Sequence, residues 1–285
     1  MSTTTHTPTA GHVTTDPRRS AGTTSGERPT PSRGSGILTA SAVFIGRATR
    51  HSLRDVESML MAVILPVMLM LMFTYVFGGA IAPGGGYLDY VVPGIVLTCA
   101  GFGAASTAVG VAQDMTTGTI NRLRTMPLPS ATLLVGHTVA SLARNLLATG
   151  VVLLVAVAIG FRPAAGPLEW MGAVGLLALY ILTITAVFAM LGLVAHSPEA
   201  ANGYGFVLLF LPYVSSAFVP VGTMPGWLQG FAAHQPITPV IEATRALFGG
   251  GAPGSDGLVA IAWCLGIIAL AVALTAYLFP RRVAR

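Results

Sequence analysis

The chain has 285 residues, 53% of them apolar and only 9% charged. A soluble domain carries about 25% charged residues, so this one lacks the polar surface that water demands, and a mean hydropathy of +0.75 places it among membrane proteins. All 15 basic residues are arginine; without lysine there is no P-loop lysine, Schiff-base lysine or Ser-Lys pair, which excludes an ordinary nucleotide-hydrolysing domain.

The net charge of +5 does not point to nucleic acid, because most arginines flank apolar segments, where they set membrane orientation. Cys99 and Cys264 both fall inside apolar runs, which reads as buried thiols and excludes a disulfide framework by number. The first 36 residues are rich in Thr, Ser, Pro and Gly, contain no apolar signal core, and are expected to be a disordered cytoplasmic tail. Residues 37–56 turn amphipathic: Arg47, Arg50 and Arg54 fall within about 60° of one another on a helical wheel, as in a basic helix lying among lipid headgroups.

Six spanning helices are expected next, at about 58–77, 90–112, 132–160, 170–195, 201–221 and 257–279, each long enough for the roughly 20 residues that cross a hydrocarbon core. The third is longer than needed, which would carry Arg144 toward an interface. If both termini face the cytoplasm, seven arginines of the tail and lead-in helix, Arg122, Arg124, Arg281, Arg282 and Arg285 lie inside, against Arg162 and Arg245 outside. That asymmetry obeys the positive-inside rule. The outer connection after the fifth span is apolar but broken by Pro225, Pro236 and Pro239. Its pieces, near 227–233 and 239–248, are too short to cross and read as interfacial or re-entrant helices. Thr238 and Pro239 suit the start of the second piece, and the glycines at 249–251 its end. On it Glu242 and Arg245 stand three apart, where they can pair, as a solvated surface pair or as a gate latch.

No HExxH, CxxC or GxSxG motif occurs, and no paired carboxylates lie within a span, so neither a metal centre nor an intramembrane hydrolase is expected. His137, His196 and His234 are scattered near predicted membrane edges. Arg144 is the one charge well inside a span; a proton- or sodium-coupled carrier needs an acid or histidine there, so energy is expected from outside the chain. The inner loop from Gln113 to Ser130 has a turn at Gly118, a cap at Thr119 and a stop before Pro127. Ile120, Leu123 and Met126 share one face, flanked by Arg122 and Arg124, which reads either as a peg for another protein's groove or as a plain connecting loop.

Three stretches carry a family resemblance. One is the inner loop with Asp114, Gly118, Thr119, Arg122, Leu123, Pro127 and then Gly136. A second is Phe-Val-Pro-Val-Gly-Thr-Met-Pro-Gly-Trp-Leu-Gln at 218–229. The third is Gln-Pro-Ile-Thr-Pro at 235–239, with the helix ending in Phe248-Gly-Gly. Over about 37–285 the chain resembles ABC-2 type ATP-binding-cassette permeases of the daunorubicin/doxorubicin-resistance kind. The resemblance implies an all-α polytopic protein of six transmembrane helices without catalytic or metal-binding residues. It would be one half of a homodimer or pseudo-dimer of permeases in a bacterial plasma membrane, bound to separate ABC ATPase subunits that hold ATP and Mg. Asp114, Thr119, Arg122, Leu123, Arg124 and Pro127 would couple to that ATPase. Pro225, Trp227, Glu242 and Arg245 would form an outer gate, and Phe206, Phe210 and Tyr213 would line the path of an amphipathic small-molecule cargo. A lipid or lipid-linked glycan is an alternative cargo, and a membrane-integral enzyme or immunity protein an alternative function. Methionines 59, 61, 68, 70 and 72 suit a drug surface or simple packing. The small residues Gly94, Gly101, Gly103, Ala104, Ala108 and Gly110 suit close packing within one chain or a dimer seam.

Overall fold

A computed structural model describes residues 56–116 and 131–283. The tail and amphipathic lead-in expected at 1–36 and 37–56 lie outside the described residues, save for Val56. All described regular structure is helical, as in a polytopic membrane protein. We number the helices α1 (Val56–Leu71, continued by a π-helical stretch at Met72–Phe77 and by Gly78–Ile81), α2 (Tyr87–Thr116), α3 (Ala131–Ala158), α4 (Pro167–Val194), α5 (Pro198–Leu209), α6 (Gly226–His234), α7 (Ile237–Phe248) and α8 (Gly254–Val283). Among the described residues, five stretches are long and apolar enough to cross a bilayer: Ala62–Ile81, Tyr87–Thr116, Thr138–Ala158, Pro167–Val194 and Gly254–Leu278.

The expected fifth span, 201–221, departs from this pattern. It is a 12-residue helix, α5, followed by a 3-10 turn at Leu211–Val214 and irregular chain. Pro212 has no N–H to continue the ladder, and the Ser215 hydroxyl turns back onto the Pro212 carbonyl. The broken segment nevertheless runs the height of the bundle. Ala201 shares a buried cluster with Ala108, Ala112 and Phe188, while at the other end the Tyr87 hydroxyl donates to the Phe218 carbonyl at 2.8 Å. From Ala108 to Tyr87, α2 rises about 32 Å, close to the ~30 Å thickness of a hydrocarbon core. We call this interrupted segment the fifth crossing, after its place in the expected order; unlike the five long stretches it is not one continuous helix.

Helix α2 is the axis of the bundle and is packed by α1, α3, α4 and α5. Its small residues seat these neighbours. A Cβ on Gly94 would lie 2.6 Å from Ala217, one on Gly101 3.3 Å from Leu209, and one on Gly103 1.6 Å from Asn145. In turn Gly192 of α4 abuts the Ala108 carbonyl. The small-residue surface therefore packs within the chain, as close backbone approach in membranes requires.

Candidate functional site

At the end of the bundle where α2 begins, α6 and α7 lie across the tops of the spans. The short helix α7 starts at Ile237, two residues earlier than expected. Thr238 does not cap it: its hydroxyl donates to the Ala232 carbonyl at 2.6 Å and so ties α7 to α6. The helix stops where expected, with Gly250 at φ +76° and the Gly251 N–H returning to the Ala246 carbonyl at 2.9 Å.

Arg245 of α7 makes the densest set of contacts at this end. Its Nη1 pairs with Glu242 at 2.6 Å. Nε and Nη2 donate to the Tyr90 carbonyl at 3.2 and 3.1 Å, and Nη2 also donates to the Ser216 carbonyl at 2.9 Å. The guanidinium carbon stands 3.9 Å above the Tyr90 ring, a cation–π geometry, and the Tyr90 hydroxyl donates to the same Ser216 carbonyl. One side chain thus joins the start of α2, the chain leaving the broken fifth crossing, and α7. The planar fork of arginine permits this, whereas the point charge of lysine would not. Pro225 begins α6 and Trp227 follows it, but Trp227 is 82% exposed. Of the four expected gate residues, the structure brings Glu242 and Arg245 together and leaves Pro225 and Trp227 apart from them.

Two glutamines of the motif stretches have structural work that the sequence reading did not assign. Gln235 is buried, and its amide donates to the Leu211 and Val214 carbonyls at the two ends of the 3-10 turn. Gln229 donates to the Met224 and Gly222 carbonyls and closes the loop before α6. The signal was present in the two glutamines spaced among prolines, but their targets are carbonyls, which carry no sequence mark.

Phe206 and Phe210 are exposed and Tyr213 is half-buried. Ring contacts run Phe206–Phe210 (5.0 Å), Phe210–Tyr213 (6.0 Å), Tyr213–Phe218 (5.0 Å) and Phe218–Phe73 (4.4 Å). An aromatic ladder therefore joins α5 to the π-helical stretch of α1. None of the three expected path residues lines the cavity of about 220 Å³ between α4, α5, α7 and α8, which is walled by Tyr180, Ile184, Leu208, Leu211, Ile237 and Cys264. That volume is below the ~300 Å³ at which drug-sized pockets begin. The methionine stripe divides: Met70 is fully buried, while Met68 and Met72 are exposed.

Of the expected coupling residues, Asp114 is half-buried in the last turn of α2. Thr119, Arg122, Leu123, Arg124 and Pro127 lie outside the described residues. Arg144 is buried against α2, six residues into the span Thr138–Ala158, within a polar seam of Ser106, Thr107, Ser141, Asn145 and Thr185. The sequence reading missed that seam. Thr138, Ser141, Asn145 and Thr149 recur at helical spacing, a polar stripe that could have revealed it.

Comparison with known proteins adds the following. Residues 40–248 match the family described as ABC-2 type transporter. The chain is 29% identical over 259 residues, 90% of each chain, to a daunorubicin resistance ABC transporter permease protein of Streptomyces coeruleorubidus. It is 27% identical over 247 residues, 83% of this chain and 89% of the relative, to a protein of two Mycobacterium tuberculosis strains named a probable doxorubicin resistance ABC transporter permease.

Proposed function

The chain belongs to the ABC-2 type transporter family, and from that premise we propose that it is the membrane-spanning permease subunit of an ATP-driven exporter of amphipathic small molecules such as anthracycline-like drugs. The observation that carries the reading is the family match across most of the bundle, together with relatives named for daunorubicin and doxorubicin resistance. The relatives are named as permease proteins, in keeping with a chain that is not itself an enzyme. An ABC ATPase is the partner that membership in the family implies.

In this reading the ATPase binds ATP and Mg, and docks on residues 114–127 at the end of the bundle opposite α6 and α7. Leu123 presents the apolar contact and Arg122 and Arg124 flank it. Both termini are cytoplasmic and the membrane is the bacterial plasma membrane. Two copies of the chain face each other across the cargo route. The cavity between α4, α5, α7 and α8 is by itself too small for a drug-sized molecule. The exposed ladder of Phe206, Phe210 and Tyr213 offers flat apolar faces to such a cargo. The Arg245 cluster holds the exit end closed, because it pins α7 to the chain that leaves the fifth crossing.

Co-purification of the tagged chain from its native membrane tests the reading. An ABC ATPase is expected to accompany the wild type and to be lost from Leu123→Asp, which places a charge on the docking stripe. Absence of any ATPase from the wild type would overturn the proposal.

A further inference from the structure

Arg144 is a charge inside an apolar span, 9% exposed, and such residues are kept for a reason. Its Nη2 donates to the Ser106 hydroxyl at 2.6 Å and to the Gly103 carbonyl at 3.3 Å, both on α2. One residue on, Asn145 is completely buried; its amide donates to Ser141 Oγ at 3.2 Å. Its Oδ1 lies where a Cβ on Gly103 would be 1.6 Å away, so α3 is seated into the gap that glycine leaves on α2. Thr107 of α2 donates to the same Ser141 Oγ at 3.0 Å, and that oxygen stands 3.2 Å from Thr185 Oγ1 on α4. Three successive spans are thus joined at one level by hydroxyls, an amide and a guanidinium.

Such a seam behaves differently from apolar packing. Bonds of 2.6–3.3 Å tolerate little displacement, and a slide of one residue, about 1.5 Å along an axis, stretches and bends all of them together. The contact of α2 with the fifth crossing is small and apolar along its length, Gly94 on Ala217 and Gly101 on Leu209, and its directional bonds, from the Tyr87 and Tyr90 hydroxyls to the Phe218 and Ser216 carbonyls, sit only at the end where α2 begins. The π-helical stretch of α1 and the 3-10 turn after α5 lie outside the seam, and Pro93, which removes one bond from the ladder of α2, falls between the start of that helix and the seam; such interruptions are where helices bend. Helices α2 and α3 are the two that enter residues 117–130, the stretch assigned above to ATPase docking.

We propose that Ser106, Thr107, Ser141, Arg144, Asn145 and Thr185 lock α2, α3 and α4 into one rigid lever, with Arg144 and Asn145 as positioning residues that carry motion from the ATPase-facing end into the bundle, while α1 and the fifth crossing move against it. The lever rests on the reading of the chain as a transport subunit.

The test replaces Thr107 and Ser141 by cysteine in a chain whose Cys99 and Cys264 are changed to alanine. The γ atoms of the pair are 3.0 Å apart, so the thiols fall within disulfide reach. The full chain with its ATPase, in membrane vesicles, is oxidised with iodine both without nucleotide and after trapping with ATP and vanadate. A rigid lever predicts cross-linking rates within about twofold in the two states, and ATP-driven daunorubicin movement by the cross-linked complex at no less than half the rate of the reduced one. A tenfold fall in cross-linking in either state, failure of the pair to cross-link at all, or loss of transport on cross-linking would overturn the lever. As an independent arm, Arg144→Met should keep ATP hydrolysis and lose at least tenfold in transport, with part restored by Arg144→Lys; wild-type transport by Arg144→Met contradicts the proposal. If Arg144→Met does not accumulate, the cysteine pair still decides. Absence of daunorubicin movement by the unmodified complex would sink the exporter reading, while the cross-linking rates would still judge the seam.

Discussion

Replacing Arg245 with methionine keeps the apolar stem of the side chain and removes the polar contacts that Arg245 makes at the α2–α7 junction. Three contributions are lost. Hydrogen bonds from a charged donor to the Tyr90 and Ser216 carbonyls are each worth about 1.5–3 kcal/mol at most. The cation–π contact with Tyr90 adds about 0.5–2 kcal/mol. The ion pair with Glu242, whose side chain is 36% exposed, adds no more than ~1 kcal/mol after solvent screening. These do not sum, because all are made by one group, and the Ser216 carbonyl keeps its bond from the Tyr90 hydroxyl. A loss of about 3 kcal/mol is therefore expected, equivalent to a fall of roughly 6–12 °C in Tm. Glu242→Gln removes only the screened pair and should cost under ~1 kcal/mol. Thermal unfolding of both purified variants in one detergent, followed by tryptophan fluorescence, reads the difference. Equal shifts for the two, or a larger one for Glu242→Gln, would refute the view that the carbonyl bonds rather than the ion pair hold the junction.

Two further substitutions probe the packing. Gly192→Ala would place a methyl 2.3 Å from the Ala108 carbonyl, whereas a methyl on Gly175 of the same helix meets nothing within 4 Å. The first should lower stability by about 1–3 kcal/mol through overpacking and the second should be neutral or stabilising by up to ~1 kcal/mol, as melting temperatures will show. Gly250→Ala combines φ +76° with an approach of 2.8 Å to the Ala164 carbonyl and should cost about 1–2 kcal/mol from the left-handed backbone alone. Limited proteolysis at 249–251 should rise with it.

How far the fold could be read from the residues depended on the kind of signal. Helices α1 to α4 and α8 arise from long apolar runs, which averaging detects because a membrane helix needs little else. The same averaging conceals the break in the fifth crossing, since Leu208, Leu209, Phe210 and Leu211 keep the run apolar up to Pro212. Pro212, together with Ser215 and Ser216, was the available warning. Glu242 and Arg245 could be paired from their spacing on one helix. Tyr90 and Ser216 could not, because they meet Arg245 as backbone carbonyls from distant segments. The polar seam escaped for a related reason. Apart from Arg144, its members are common small polar residues on three helices, and only the stripe on α3 leaves a period in the sequence.

The central claim is that this chain moves a drug only when a separate ATPase drives it. Inverted membrane vesicles holding the chain and its co-purifying ATPase should take up daunorubicin when ATP and Mg are supplied, and show none above background with a non-hydrolysable ATP analogue or with the chain alone. Uptake by the chain alone, or an intact complex indifferent to ATP, would contradict it.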